Sequence, residues 1–347
     1  MTILMMIATS CGAGKGDRNI HERRNSVYYW KTVFHLDEAD REFLKRHDIG
    51  RIYLRMFDVV TDRYACGNEE KTVPNATVRI DEEDYRMIRD SLTGMEFVPV
   101  VYITLDALKA MEGQEKRLAS NIVTRVRNMC RYNGLPNVNE LQLDCDWTTS
   151  TEKSFFNLCD SIKQSIATLE LPWRLSSTIR LHQLSRKAPP VDNGVLMVYN
   201  TGSFNDPDTD NSIIDADDVR PYLKHLSSYP IHLDVAYPTY SWQLLFRKRR
   251  FLGLLNGQDL SDTTRLVRKG DNTFVAKCDF KCNGKTIREG DMIREETSGY
   301  EAVKEIKDLI ERKLDDRVHS NIIYHLDSGN LSKYKPYEID QILSSGR

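Results

Sequence analysis

Two periods alternate along most of this chain. Short apolar runs with a repeat of two are followed by longer stretches with a repeat near 3.6, the signatures of strand and helix. The strand-like runs are 27–32, 51–60, 97–104, 140–148, 173–180, 194–200, 231–238 and 321–327. Helical patterns fill 37–47, 82–92, 112–132, 154–169, 216–227 and 300–314. Asp37, Glu38 and Asp40 open the first helix and Gly50 follows it, as a helix start and stop require. Eight strands alternating with helices predict a parallel sheet, and covering helices favour its closure into an α/β protein of the (β/α)8 TIM barrel class. An open doubly wound sheet is the alternative, but no Gly-rich turn follows the first strand to seat a dinucleotide.

One stretch breaks the rhythm. Residues 257–298 lack the strand–helix alternation. Within them Thr273–Cys278 and Lys285–Arg294 flank the turn-forming pair Asn283-Gly284, which predicts a β-hairpin insertion after strand seven. The domain plan is therefore residues 1–25 as signal and tether, then a single barrel over 26–347.

The fourth strand, Glu140-Leu-Gln-Leu-Asp-Cys-Asp-Trp-Thr148, carries the main candidate chemistry. In extended chain Gln142, Asp144 and Asp146 share one face and Leu141, Leu143 and Cys145 the other. Polar residues on one face of an otherwise apolar strand fit a barrel interior near its C-terminal mouth, where barrel active sites lie. The alternative is structural: the same acids capping the next helix or pairing with arginines.

Charge narrows the function classes. With 49 basic and 51 acidic residues the formal charge is −2, which argues against a general nucleic-acid binder. Gly12-Ala-Gly-Lys-Gly16 is not a phosphate loop, because its glycine spacing is wrong and no Ser or Thr follows Lys15. The apolar start, closing on Ala8-Thr-Ser-Cys11, resembles a bacterial lipoprotein signal. That resemblance implies acylation of Cys11, export, and attachment to the cell envelope by the N-terminal lipid alone, with an ordinary N-terminal strand as the alternative. Cys278 and Cys282 are the one close cysteine pair, and a lone CxxxC is weak as a metal motif. No His-x-His or HExxH spacing is present, and no metal or other cofactor is expected.

Several strand ends together resemble those of chitinase and endo-N-acetylglucosaminidase barrels: Asp144-x-Asp146, Met197-x-Tyr199-Asn200 and Tyr237-Pro-Thr-Tyr-Ser-Trp242. In that family the fourth strand reads D-x-x-D-x-D-x-E, and its Glu protonates the leaving oxygen. Here Thr148 stands in that position. A hydroxyl cannot act as that acid near neutral pH. The resemblance implies a carbohydrate ligand. It leaves two readings, a glycoside hydrolase using Asp144 or Asp146 with a distant acid such as Asp234, or a barrel that binds glycans without cutting them; a third, from another class, is a metal-dependent hydrolase using Asp144, Asp146 and a histidine such as His325. Asp58 and Asp327 are further candidate acids. Arg55 and Arg180 would hold an acidic sugar or neutralise the acids. Trp30, Tyr102, Trp147, Tyr199, Tyr237 and Tyr240 are candidate stacking residues, with Gln142 and Asn200 as polar contacts.

Overall fold

A computed structural model describes residues 23–62, 64, 71–255, 257–314 and 317–345. The expected signal, tether and Cys11 lie outside the described residues. Eight parallel strands close on themselves: β1 (Asn25–Tyr29), β2 (Ile49–Thr61), β3 (Glu96–Ile103), β4 (Glu140–Asp144), β5 (Arg174–Arg180), β6 (Asn193–Met197), β7 (His232–Pro238) and β8 (Asn321–Tyr324). Strand β1 pairs with both β8 and β2, which seals the barrel.

Helices α1 (Glu38–Arg46), α2 (Glu82–Ser91), α3 (Leu105–Ala110), α4 (Glu115–Tyr132), α5 (Glu152–Thr168), α6 (Ala216–Val219), α7 (Tyr300–Leu314), α8 (Ser328–Leu331) and α9 (Pro336–Leu343) follow the strands. The helix expected over 112–132 begins later, as α4 at Glu115, and a separate short helix, α3, precedes it across a break at Gly113 with φ +80°. Asp37 and Asp81 cap α1 and α2 by accepting from Asp40 N and Asp84 N, so the acidic starts read from sequence are caps.

Strand periodicity splits the apolar residues into two cores. Outward-facing residues such as Leu141, Leu143, Ile179 and Val235 pack beneath the helices in the larger core. Inward-facing Tyr28, Tyr53, Val98, Val100, Val195, Met197, Ala236, Ile322 and Tyr324 fill the barrel. Below them lies a polar floor. Arg51 Nε donates to Glu96 across 2.8 Å and its Nη1 lies 3.9 Å from Asp234. Ser320 N donates to Asp234 at 2.7 Å.

The insertion departs from expectation. It begins at Ser241, directly after β7, and forms a five-stranded antiparallel sheet in the order 250–255, 241–247, 292–297, 273–276, 266–268. The Asn283-Gly284 turn joins only a short two-stranded ribbon, Phe280–Cys282 with Lys285–Ile287. Strand Thr273–Ala276 pairs instead with Met292–Thr297. Cys278 and Cys282 are both free thiols.

Candidate functional site at the barrel mouth

The mouth is built from the last inward-facing residues of the strands. Tyr102 and Asp144 are register partners on β3 and β4, and Arg180 on β5 pairs with Met197 on β6. Strand β4 ends at Asp144, yet Asp146 keeps the same side because Arg180 binds both acids. Its Nη2 is 3.1 Å from Asp144 Oδ1, and its Nε donates to Asp146 Oδ1. Arg180 Nη1 donates to Tyr199 OH at 3.0 Å, and the guanidinium lies over the Tyr199 ring. Thr178 Oγ1 donates to Asp144 Oδ1 at 2.6 Å.

The two acids differ in exposure. The Asp144 side chain is 2% exposed and that of Asp146 is 46% exposed. Burial pushes the Asp144 carboxyl above the usual carboxylate range, against the pull of Arg180, and neighbouring Asp146 adds to the rise. Burial, with Asp146 nearby, pushes the Tyr102 phenol up to about 12.

A second pair sits across the mouth. A register shift in β2 between Arg55 and Phe57 brings Arg55 and Asp58 to the same side. Arg55 Nε donates to Asp58 Oδ1 at 2.8 Å, and its guanidinium covers the Trp30 ring. Asp327 caps α8 and lies 3.1 Å from Lys31. Aromatic rings bridge these groups. Tyr199 stacks on Tyr324 at 4.5 Å between centroids, Tyr324 touches Trp30, and Tyr240 reaches Tyr199. Tyr240 OH donates to Asn200 Oδ1 at 2.8 Å. A cleft of about 230 Å³ opens beside Arg180, lined by Asp146, His182, Tyr199, Asn200, Thr201 and Tyr222 among others.

Four expected site residues lie elsewhere. Asp234 is the third residue of β7, 0% exposed, in the floor with Arg51, so it is not an acid facing Asp144 across the mouth. Tyr237 has the opposite strand parity. It is buried in the core beneath the helices, where the Glu311 and Asp308 charges reach it. Trp147 is also fully buried; it stacks on Phe155 and meets Phe156 edge-on, both on α5. Gln142 faces inward but lies below the mouth. It accepts from Tyr28 OH at 2.7 Å and donates to Ser176.

Thr178, His182, Thr201 and Tyr222 belong to no motif; Thr178 and His182 lie beside Arg180 at the end of β5, Thr201 follows the Met197-x-Tyr199-Asn200 motif, and Tyr222 is near no signal. Among the described residues no three His, Cys, Asp or Glu side chains converge as a metal would require, so His325 has no donor set around it. No helix among them is long and apolar enough to cross a membrane.

The insertion meets the mouth through the loop after β6. Glu296 accepts from Ser212 N, Ser212 Oγ, Trp242 Nε1 and Arg294 Nε, all at 2.9 Å or less. Arg294 in turn donates to the Asp206 carbonyl at 2.7 Å. A buried ion pair thus locks the inserted sheet to that loop, on the C-terminal side of the barrel.

No protein-family model matches the chain, and no curated protein does. Solved structures do. A chitinase from Chromobacterium violaceum superposes with a TM-score of 0.51 at 10% identity, covering 90% of this chain and 98% of the other. The second catalytic domain of an Ostrinia furnacalis group II chitinase, in complex with an N-acetylglucosamine oligomer, gives 0.53 at 10% identity over 92% and 95%. The spore cortex-lytic enzyme of Bacillus cereus gives 0.52 at 10% identity over 92% and 74%. At that identity the likeness is one of fold: the chain is a (β/α)8 barrel remotely similar to family 18 chitinases.

Proposed function

We propose that this barrel binds glycans at its mouth and does not hydrolyse them. One observation carries this reading. Each of the four carboxylates named at the mouth is tied to a cation, and Thr148 stands where the proton donor would be. Asp144 and Asp146 share Arg180, Asp58 pairs with Arg55, and Asp327 pairs with Lys31. Glycoside hydrolysis needs one protonated acid facing the glycosidic oxygen and a second group opposite it. Asp144 has the raised pKa of an acid, but Thr178 and Arg180 enclose it. Thr148 is exposed, and its hydroxyl lies 3.0 Å from Ser150 Oγ.

The features suited to binding are intact. Trp30, Tyr199, Tyr240 and Tyr324 give an aromatic floor for sugar faces, with Asn200, Thr201 and Asp146 as hydrogen-bonding groups at its edge. The structural neighbours crystallised with N-acetylglucosamine oligomers make those oligomers the first ligands to try. Attachment to the cell envelope through acylated Cys11 is part of the proposal; radiolabelled palmitate incorporation, absent in Cys11→Ser, is its test.

Calorimetric titration with tri- to penta-N-acetylglucosamine, with a parallel assay for released reducing ends, tests the central claim. Heat of binding without new reducing ends is expected. New reducing ends would establish a hydrolase, and no binding at millimolar oligomer would remove the carbohydrate reading.

A further inference from the structure

We infer that the preferred glycan carries a free, protonated amine: the cleft suits an amino sugar without its acyl group. The inference rests on the mouth being a glycan site and follows from the balance of charge around it. Among the ion-paired groups at the mouth, four carboxylates, Asp58, Asp144, Asp146 and Asp327, share three cations, Arg55, Arg180 and Lys31; a further cation, Lys333, donates to the Tyr240 carbonyl but does not line the cleft. With Asp144 ionised the surplus falls at Arg180, which serves two acids. Of those two, Asp144 is sealed, while Asp146 is half exposed and lines the cleft.

The accessible charge is therefore negative. Arg180 is the one Lys or Arg among the residues lining the cleft, and its guanidinium is engaged by Asp144, Asp146 and Tyr199. His182 is held toward its neutral form by burial, against the charge of Asp146. Arg186 lies nearby in sequence but does not line the cleft. The segment that brings Thr201 and Tyr222 to the cleft, residues 201–222, contains six Asp and one Arg; none of these seven lines the cleft, and Asp217 and Asp208 pair with Arg220 and Arg249.

The insertion is basic, with twelve Lys and Arg against eight Asp and Glu over residues 241–298, but none of its side chains lines the cleft. Arg247, Arg249 and Arg294 are each paired with a carboxylate. A uronate or sulfated sugar would bring a second anion to Asp146. An ammonium would meet that carboxylate, with the Tyr199 and Tyr222 rings on the same cleft wall. An acetamide at the same place would leave the charge unanswered.

The experiment compares a glucosamine oligomer with the N-acetylglucosamine oligomer of equal length, at about pH 6 where a sugar amine is protonated. For a partly exposed pair the glucosamine oligomer should bind roughly three- to fivefold tighter at low salt. The preference should shrink as salt rises to about 0.5 M, because screening acts on the ion pair alone. Asp146→Asn should bring the two affinities within about twofold of each other. Equal affinities in the parent protein, or a preference that survives both high salt and Asp146→Asn, overturn the inference while leaving glycan binding in place. Failure to bind either oligomer overturns both.

Discussion

Arg180 Nη2 lies 3.1 Å from Asp144 Oδ1 while Nε of the same guanidinium holds Asp146, so one cation spans both acids of the fourth strand. The two acids thus share one guanidinium, with Asp144 sealed and Asp146 half exposed. That sharing also sets how the site should respond to change.

Arg180→Met should destabilise the barrel by about 3–5 kcal/mol, because it leaves Asp144 buried without a compensating charge. Chemical denaturation followed by tryptophan fluorescence measures this. A loss below about 1 kcal/mol would mean that other groups neutralise Asp144.

Asp144 also gives the fold a pH dependence of known sign. Burial raises its carboxyl above the ordinary 3.8. Between those two values the folded state holds a proton that the unfolded chain has lost, so stability falls as pH rises through the window. The effect is absent below the ordinary value and complete above the raised one. The unfolding free energy of the parent protein, minus that of Asp144→Asn, should therefore decrease as pH rises from the ordinary carboxylate value through the raised one. A difference that stays flat or grows would contradict the raised pKa.

Thr148→Glu places a carboxyl where the chitinase-like motif expected from the sequence has its acid. It should not restore cleavage, because Asp144 and Asp146 remain held by Arg180. Thr148 is exposed, so stability should change by no more than about 0.5 kcal/mol. Turnover of an N-acetylglucosamine oligomer by this single variant would show that the two acids are free enough to work.

Glu296→Ala should loosen the insertion before the barrel. It strips the partner from Arg294, which is 1% exposed, and releases Ser212 and Trp242. Limited proteolysis should then cut within 241–298 at protease levels that leave the parent intact. Hydrogen exchange in β1–β6 should change little, because these strands pair with one another and not with the insertion. Equal loss of protection throughout would place Glu296 in the folding of the whole domain.

Some of the site was readable from the chain alone. The spacing of Gln142, Asp144 and Asp146 fixed which face they share, and all three do point inward. Arg180 and Tyr199 close two apolar runs, and strand ends become the mouth once a barrel is assumed. Asp234 and Tyr237 show where such reading stops. Three residues apart on one strand, they face opposite sides, so they could never have served the same cleft. Asp234 has the inward parity but lies at the foot of β7, a depth that depends on where the strand begins. Trp147 fell outside strand geometry because β4 ends at Asp144.

Local sequence determined the strand and helix rhythm, the caps and the inward face of each strand, because those follow from backbone periods and near-neighbour hydrogen bonds. Tertiary structure alone decided depth, register and partnership. Arg180 meets Asp144 from 36 residues away, Ser212 meets Glu296 from 84, and β1 seals against β8 across nearly the whole chain. Such contacts arise when closure of the sheet brings distant strand ends together, and no local period encodes which charge will lie beside which.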